Sequence, residues 1–310
     1  DLDEVEVDML LSEISKASGK LISKVKLNAA FKKLKVEVGK QQKTATAIAQ
    51  GVRNDVLAEL IKIDEMVLPN IANAEIYIRA HPEWDGVLGY DEFSHTVVVR
   101  APLPWSRHVN REWSDADTTH LNIWLQRRCE GMRSISRHVI EHLPDHIARI
   151  NPFHAVRDYL GSLVWDGVPR LNGFAEGYLG AVAEDIMQQH YLQSVCPRFF
   201  IGAVARVMQP GCKMDTALIL ESDMQGFKKS TLFRALAVRD DWFSDTALEI
   251  GSKDGMQQLN GVWIYEMAEL EAVDRKSVNA NKQFMASQFD KFRPPYGRRV
   301  EKFMRQCVLV

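Results

Sequence analysis

The sequence lacks any uninterrupted run of about 18 apolar residues, which excludes a membrane-spanning helix. Cysteine is scarce: Cys129, Cys196, Cys212 and Cys307 lie far apart with no CxxC pair. That spacing excludes a disulfide framework and a cysteine-rich zinc site, and it fits the reduced thiols of a cytoplasmic protein. Internal repeats and low-complexity tracts are absent. Asp1, Asp3, Glu4, Glu6 and Asp8 crowd the first residues with acids, a pattern not expected of a signal or transit peptide. Net charge is small, −2 from 39 Lys+Arg and 41 Asp+Glu, although an average of this kind can hide local patches. With 46% hydrophobic and 26% charged residues, the composition is that of a globular chain. Its 310 residues allow two domains with cores of their own. The chain starts at Asp1 and stops in the apolar run Cys307-Val-Leu-Val310, the pattern expected of a fragment cut within a strand.

The charge is unevenly spread. Residues 12–43 carry nine lysines against Glu13 and Glu37, either a solvated helical face or a nucleic-acid contact. Apolar spacing over 44–67 (Ile48, Val52, Val56, Leu60, Ile63) predicts a helix. Two short strands joined by a turn at Asp91–His95 are predicted next, and Ser114-Asp-Ala-Asp117 reads as an N-cap before Leu121, Trp124 and Leu125. A further helix is predicted at about 134–142, with Pro144 ending it or starting the next. Helical pattern continues to about Met208, with Pro197 expected to split it. Thereafter strands and helices alternate. Thr216–Glu221, Gly261–Glu266 and Cys307–Val310 read as strands, and Lys229–Ala237 and 275–289 as helices, which predicts a parallel α/β sheet. The expected organisation is a Lys-rich helical segment (1–80), a mainly helical accessory domain with a β-hairpin (81–210), and an α/β core (211–310).

Between the first predicted strand of that core and its helix lies Glu221-Ser-Asp-Met-Gln-Gly226-Phe-Lys-Lys229-Ser-Thr231. A strand, a loop, Lys-Ser and a helix form the physical plan of a phosphate-binding loop. Successive backbone N–H groups of this loop would wrap phosphates at the positive helix N-terminus, with Gln225, Gly226, Lys228 and Thr231 among the nucleotide-binding residues and Lys228 adding charge near the phosphates. Lys229 would reach the β/γ phosphates of ATP, and the Ser230 hydroxyl would ligate Mg²⁺. Of the two outer glycines in G-x-x-x-x-G-K-[ST], the first is Asp223 and the second Lys228, and only the inner Gly226 remains. Glu266, at the end of the next predicted strand, suits hydrated Mg²⁺, and Glu269 suits the orientation of a catalytic water. The plain alternative is an ordinary strand–helix connection followed by acids exposed on a turn.

Several motifs in order resemble the virulence-associated protein E family. They are Asn151-Pro-Phe-His-Ala-Val-Arg-Asp-Tyr-Leu160, Trp165-Asp-Gly-Val-Pro-Arg-Leu171, the Lys-Lys-Ser-Thr loop, Gly251-Ser-Lys-Asp254, Trp263-Ile-Tyr-Glu-Met-Ala-Glu-Leu270 and Arg293-Pro-Pro-Tyr-Gly-Arg298. The resemblance spans about residues 84–310. It implies an AAA+-like P-loop NTPase of the superfamily-3 helicase type, found in phages and genomic islands and often fused to a primase. ATP and Mg²⁺ are the implied cofactors, a homo-oligomeric ring the implied assembly, and single-stranded or forked DNA the implied partner. A sensor residue and an arginine finger from a neighbouring subunit are implied beyond the residues present.

The basic segment 282–305 fits that picture. Pro294-Pro-Tyr-Gly297 can turn a hairpin between arms bearing Lys291, Arg293, Arg298, Arg299, Lys302 and Arg305. Positive charge tracks a nucleic-acid backbone, and Tyr296 offers a stacking surface. The alternative is a solvated hairpin pairing with acids in 240–274. His138-Val-Ile-Glu-His142 matches an inverted zinc-protease pattern, but it has no identifiable third ligand and reads as a plain helical face. Two functions therefore compete: a DNA-stimulated ATPase or helicase module, and a nucleic-acid-binding or oligomerising module whose altered loop no longer turns over nucleotide.

Overall fold

The computed structural model describes residues 4–17, 27–32, 53, 55–222, 226, 228–267, 278–294 and 299–310. It resolves into two compact units that follow contacts rather than sequence order: 1–87 with 101–109 and 114–144, and 88–100 with 110–113 and 145–310.

The first unit is mainly helical. Ser114 caps the helix Asp115–Arg128 in a reciprocal capping box with Asp117, as the sequence predicts. The apolar side of that helix, Leu121, Trp124 and Leu125, is buried. Trp124 meets Trp84 edge to face at 5.3 Å. Residues 55–57 are helical, but the predicted helix does not reach 67. Lys62–Ile63 and Met66–Val67 pair as an antiparallel hairpin instead. The buried Asn73 explains the change, because its amide bonds both the N–H and the carbonyl of Ile61 and the carbonyl of Leu68. Tertiary bonds to the backbone thus override a helical apolar spacing. The predicted helix at 134–142 shrinks to Arg137–Ile140, and Pro144 sits in the first turn of the next helix, Leu143–Ile150.

The second unit carries both the four-stranded and the three-stranded sheet. Its first sheet has the order β3-β2-β1-β4, from Leu88–Asp91 (β1), Thr96–Val99 (β2), Arg111–Glu112 (β3) and Pro152–Phe153 (β4). β1 and β2 form the expected hairpin, while β4 adds in parallel to β1. Buried Asp91 ties this sheet to helix α1 (Ala155–Ser162) by accepting from the N–H of Phe93 and of Ala155, both at 3.1 Å. His154, from the Asn-Pro-Phe-His motif, is also buried and structural. Its Nδ1 accepts from the N–H of Arg157, so its Nε2 donates to Gln306 Oε1 at 2.7 Å.

Helices α2 (Phe174–Leu179) and α3 (Ile186–Met208) follow. Contrary to the sequence expectation, α3 runs unbroken through Pro197. Burial of Cys196, Phe199, Ala203 and Val207 along one side holds it together.

The second sheet is parallel, as predicted, with order β9-β6-β5: Phe243–Ser244 (β5), Ile264–Tyr265 (β6) and Val308–Leu309 (β9). One apolar cluster contains Phe243, Ile264, Val308 and Val310 together with Phe199 of α3 and Phe233 of α4 (Lys229–Leu236). The other contains Tyr265, Cys307 and Leu309 with Leu259, which follows α5 (Lys253–Gln258), and Phe284 of α6 (Val278–Met285). Alternate strand residues enter different clusters, so helices cover both faces of the sheet.

The strand predicted at 216–221 is not formed. Leu218 and Leu220 join the first cluster and Ala217 the second, a strand-like alternation without ladder pairing. Ile219 remains 60% exposed, so the run is not buried on both sides as an internal parallel strand would be.

Candidate nucleotide site and basic hairpin

α4 begins at Lys229 because the loop before it turns left-handed at two positions. Gly226 has φ +94° and Lys228, the N-cap, φ +55°. Lys228 therefore adopts a conformation that glycine enters without a Cβ penalty, at the position where the phosphate-loop pattern has glycine. The N-cap Lys228 makes no side-chain capping bond to this helix.

Phe233 and Leu236 anchor α4 over the first face of the parallel sheet. Ser230, three residues before Phe233, is thereby turned toward the C-terminal end of β6. Glu266 follows that strand directly and shares the face of Ile264. Its position is fixed by its N–H bond to the Ser244 carbonyl at 2.8 Å and by the bond of Met267 N–H to the Val310 carbonyl at 2.8 Å. The Ser230 hydroxyl donates to Glu266 Oε1 at 2.7 Å. Glu266 Oε2 is buried and has no hydrogen-bond partner among the described residues. The structure thus brings together two residues 36 positions apart that sequence reasoning assigns to one cation.

One helical turn further on, Arg234 reaches Asp245 Oδ2 at 3.4 Å and lies over the Phe243 ring at 4.8 Å. Asp245 follows β5 as Glu266 follows β6, so two acids stand at neighbouring strand ends. Sequence reasoning missed Asp245. The signal was there in an acid directly after the apolar pair Trp242-Phe243 and Ser244, much like the one that identifies Glu266. Lys229 is half-buried at this edge, and Lys228, Ser230 and Thr231 are exposed on the same turn. Asp223, Gln225 and Glu269 lie outside the described residues.

The basic hairpin forms from Phe289–Phe292 (β7) and Glu301–Met304 (β8). Lys291 and Lys302 are exposed and directly opposite each other. Like charges so placed repel. Their ammonium groups share the Phe289 ring, at 5.6 and 4.1 Å from its centroid, which offsets part of that cost. Arg293 and Arg299 stand further toward the turn. Tyr296 and Arg298 lie outside the described residues.

Arg305 departs from the expected exposed set. It is buried at the hairpin base in a bidentate pair with Asp290, at 2.6 and 3.0 Å, and it also bonds the Phe284 carbonyl. Arg305 and Asp290 are therefore structural, which corrects the expectation that Arg305 belongs to the hairpin's basic surface. His138 lies within the four-residue helix Arg137–Ile140 and His142 two residues beyond it, and no group of three metal-ligating side chains occurs among the described residues.

Residues 160–310 match the family model of the virulence-associated protein E-like domain. Over these residues the chain carries a virulence-associated protein E-like domain. No curated protein matches the chain. The virulence-associated protein E-like region contains the Lys228–Thr231 turn, Asp245, Glu266 and the whole hairpin, whereas His154 and the first sheet precede it. No described helix is long and apolar enough to cross a membrane.

Proposed function

We propose that the virulence-associated protein E-like domain is a P-loop ATPase, the motor module of a DNA helicase serving replication of a phage or other mobile element. The observation that carries this reading is the Ser230–Glu266 contact at the C-terminal edge of a parallel sheet, directly under a helix N-terminus. Open crevices at that edge are the usual ligand sites of α/β sheets.

The residues present fit Mg²⁺–ATP. A hydroxyl and a carboxylate are hard oxygen donors, and the unpartnered Glu266 Oε2 leaves an acceptor for a cation or its water. Bound there, Mg²⁺ would supply charge neutralisation of the phosphates. Lys229 adds positive charge at the β/γ position. The N–H groups of α4's first turn, with Gln225, Gly226, Lys228 and Thr231, hold the remaining oxygens. Glu269 orients the attacking water. Lys291, Arg293, Tyr296, Arg298, Arg299 and Lys302 contact single-stranded or forked DNA, and copies of the chain assemble as a ring that couples hydrolysis to movement.

Lys228 at a glycine conformation favours one alternative, a module that binds nucleic acid without turning over nucleotide. The two readings separate on ATP hydrolysis stimulated by single-stranded DNA. Lys229→Ala is expected to lower that rate by about 10²-fold or more, the scale of removing a preorganised electrostatic group. Hydrolysis undiminished in Lys229→Ala contradicts the ATPase assignment. Salt-sensitive DNA binding by a wild type that does not hydrolyse ATP supports the alternative.

A further inference from the structure

Helix α3 buries Phe199, Ala203 and Val207 on one side. A helix with one side in the core ordinarily turns a charged side to water. The opposite side of α3 instead exposes Ile186, Met187, Tyr191, Ile201 and Met208, with Tyr191 at 65% and Ile201 at 64%. The helix contains no acid, and its two arginines are Arg198 and Arg206. Because Arg206 is buried, Arg198 is the one exposed formal charge along roughly 33 Å of helix.

A second apolar feature lies just upstream. The turn at 163–171 engages its polar groups with one another. Asp166 accepts from Arg170 at 2.6 and 3.0 Å and from the N–H of Val168 at 3.0 Å. The Trp165 indole N–H reaches the Val168 carbonyl at 3.4 Å. The Arg170 guanidinium, with the Val168 N–H, holds the Asp166 carboxyl down at about 2. Beside this half-exposed ion pair the turn holds two apolar side chains out to solvent: Val164 is 92% and Trp165 75% exposed. Polar groups satisfied internally and an aromatic held out in advance are the features of a preorganised contact residue.

We infer that the outward side of α3 and the 163–171 turn form the contact between copies of this chain, the turn of one copy seated on the α3 face of the next. The turn of one copy on the α3 face of the next would bury about 1,000 Å² counted over both partners, the lower bound for a specific interface, against roughly 1,600 Å² for a standard one. Scarcity of charge on the α3 face, where Arg198 is the one charged side chain, is the composition of a homomeric contact. A knob and a stripe are unlike surfaces, so the contact is heterologous, and heterologous contacts close into rings or run on as filaments. In naming the surface, this inference rests on the assembly part of the reading above and not on nucleotide turnover.

Light scattering and sedimentation velocity on the full chain test it against the monomer mass of 35.3 kDa. The wild type is expected to be several-fold heavier. Tyr191→Glu combined with Ile201→Glu is expected to run as a monomer with unchanged circular dichroism, since both side chains face water. Trp165→Ala, on a turn outside the helix, is expected to raise the dissociation constant at least tenfold, and it keeps the test decisive if the glutamates disturb folding. A wild type that is monomeric with and without Mg²⁺–ATP and DNA overturns the inference. So does an unchanged mass in both the glutamate variant and Trp165→Ala. Mg²⁺–ATP binding measured on the same samples keeps the two readings apart. Monomeric variants that still bind nucleotide support the surface. An assembled wild type that binds none leaves the surface standing and removes the nucleotide reading.

Discussion

Lys228 carries a backbone strain of about 1 kcal/mol or more, the cost of left-handed geometry for a residue with a Cβ. Lys228→Gly is therefore expected to raise stability by roughly 0.5–1 kcal/mol, less than the full strain because glycine also loosens the unfolded chain. Thermal unfolding checks this, and a lower Tm would show that the lysine side chain itself stabilises the loop. If Lys228 contacts phosphate, the same variant loses nucleotide affinity while gaining stability, a pair of opposite signs that no purely structural role gives. The sequence flagged this position correctly because a glycine pattern has a conformational meaning. Nothing local flagged His154 or Arg305 as structural, since their burial comes from partners 152 and 15 residues away. The cysteines separate by environment. Burial pushes the Cys129 thiol up to about 12 and Cys307 up to about 11, and it also raises Cys196. A raised thiol stays protonated, and the thiolate is the reactive form. At pH 8, partly exposed Cys212 is expected to alkylate first and Cys129 and Cys307 last, as peptide mass spectrometry of the labelled native protein would record.

Among elements, the hairpin β7–β8 sets stability against charge. Lys291 and Lys302 face each other across the ladder, while Arg305 and Asp290 are buried beneath. Replacing both lysines by alanine is expected to leave stability unchanged or slightly higher, because a repulsive pair is removed. If the hairpin binds DNA, the same change weakens binding and lowers the slope of log affinity against log salt by about one for each phosphate that is no longer neutralised. A salt slope equal to wild type contradicts the DNA assignment. Asp290→Ala, by contrast, strands a buried guanidinium and is expected to cost about 3–5 kcal/mol, measurable by urea unfolding. The element types of the α/β region were largely legible because apolar runs and turn signals alternate there. Three departures share one cause. Pro197 is absorbed into α3, the 60–67 segment becomes a hairpin on Asn73, and 216–220 stays unpaired, each decided by packing with distant residues that periodicity does not encode.

Across the molecule, the parallel order β9-β6-β5 places Asp245 and Glu266 at adjacent strand ends, with α4 laid over both. The parts of the candidate site are sequence-local and so could be read from the sequence: an acid after a strand and Lys-Ser at a helix start. Their convergence was not, since only the fold closes the 36 residues between Ser230 and Glu266. Compact unit boundaries were equally invisible, because the first sheet joins residues far downstream. The most direct test of the nucleotide reading is a calorimetric titration of the chain with ATP, with and without Mg²⁺, beside Glu266→Gln. The wild type is expected to bind ATP more tightly with Mg²⁺, and Glu266→Gln to lose that increment while still binding the metal-free nucleotide. No nucleotide binding by the wild type, or a Mg²⁺ increment that survives in Glu266→Gln, would contradict it.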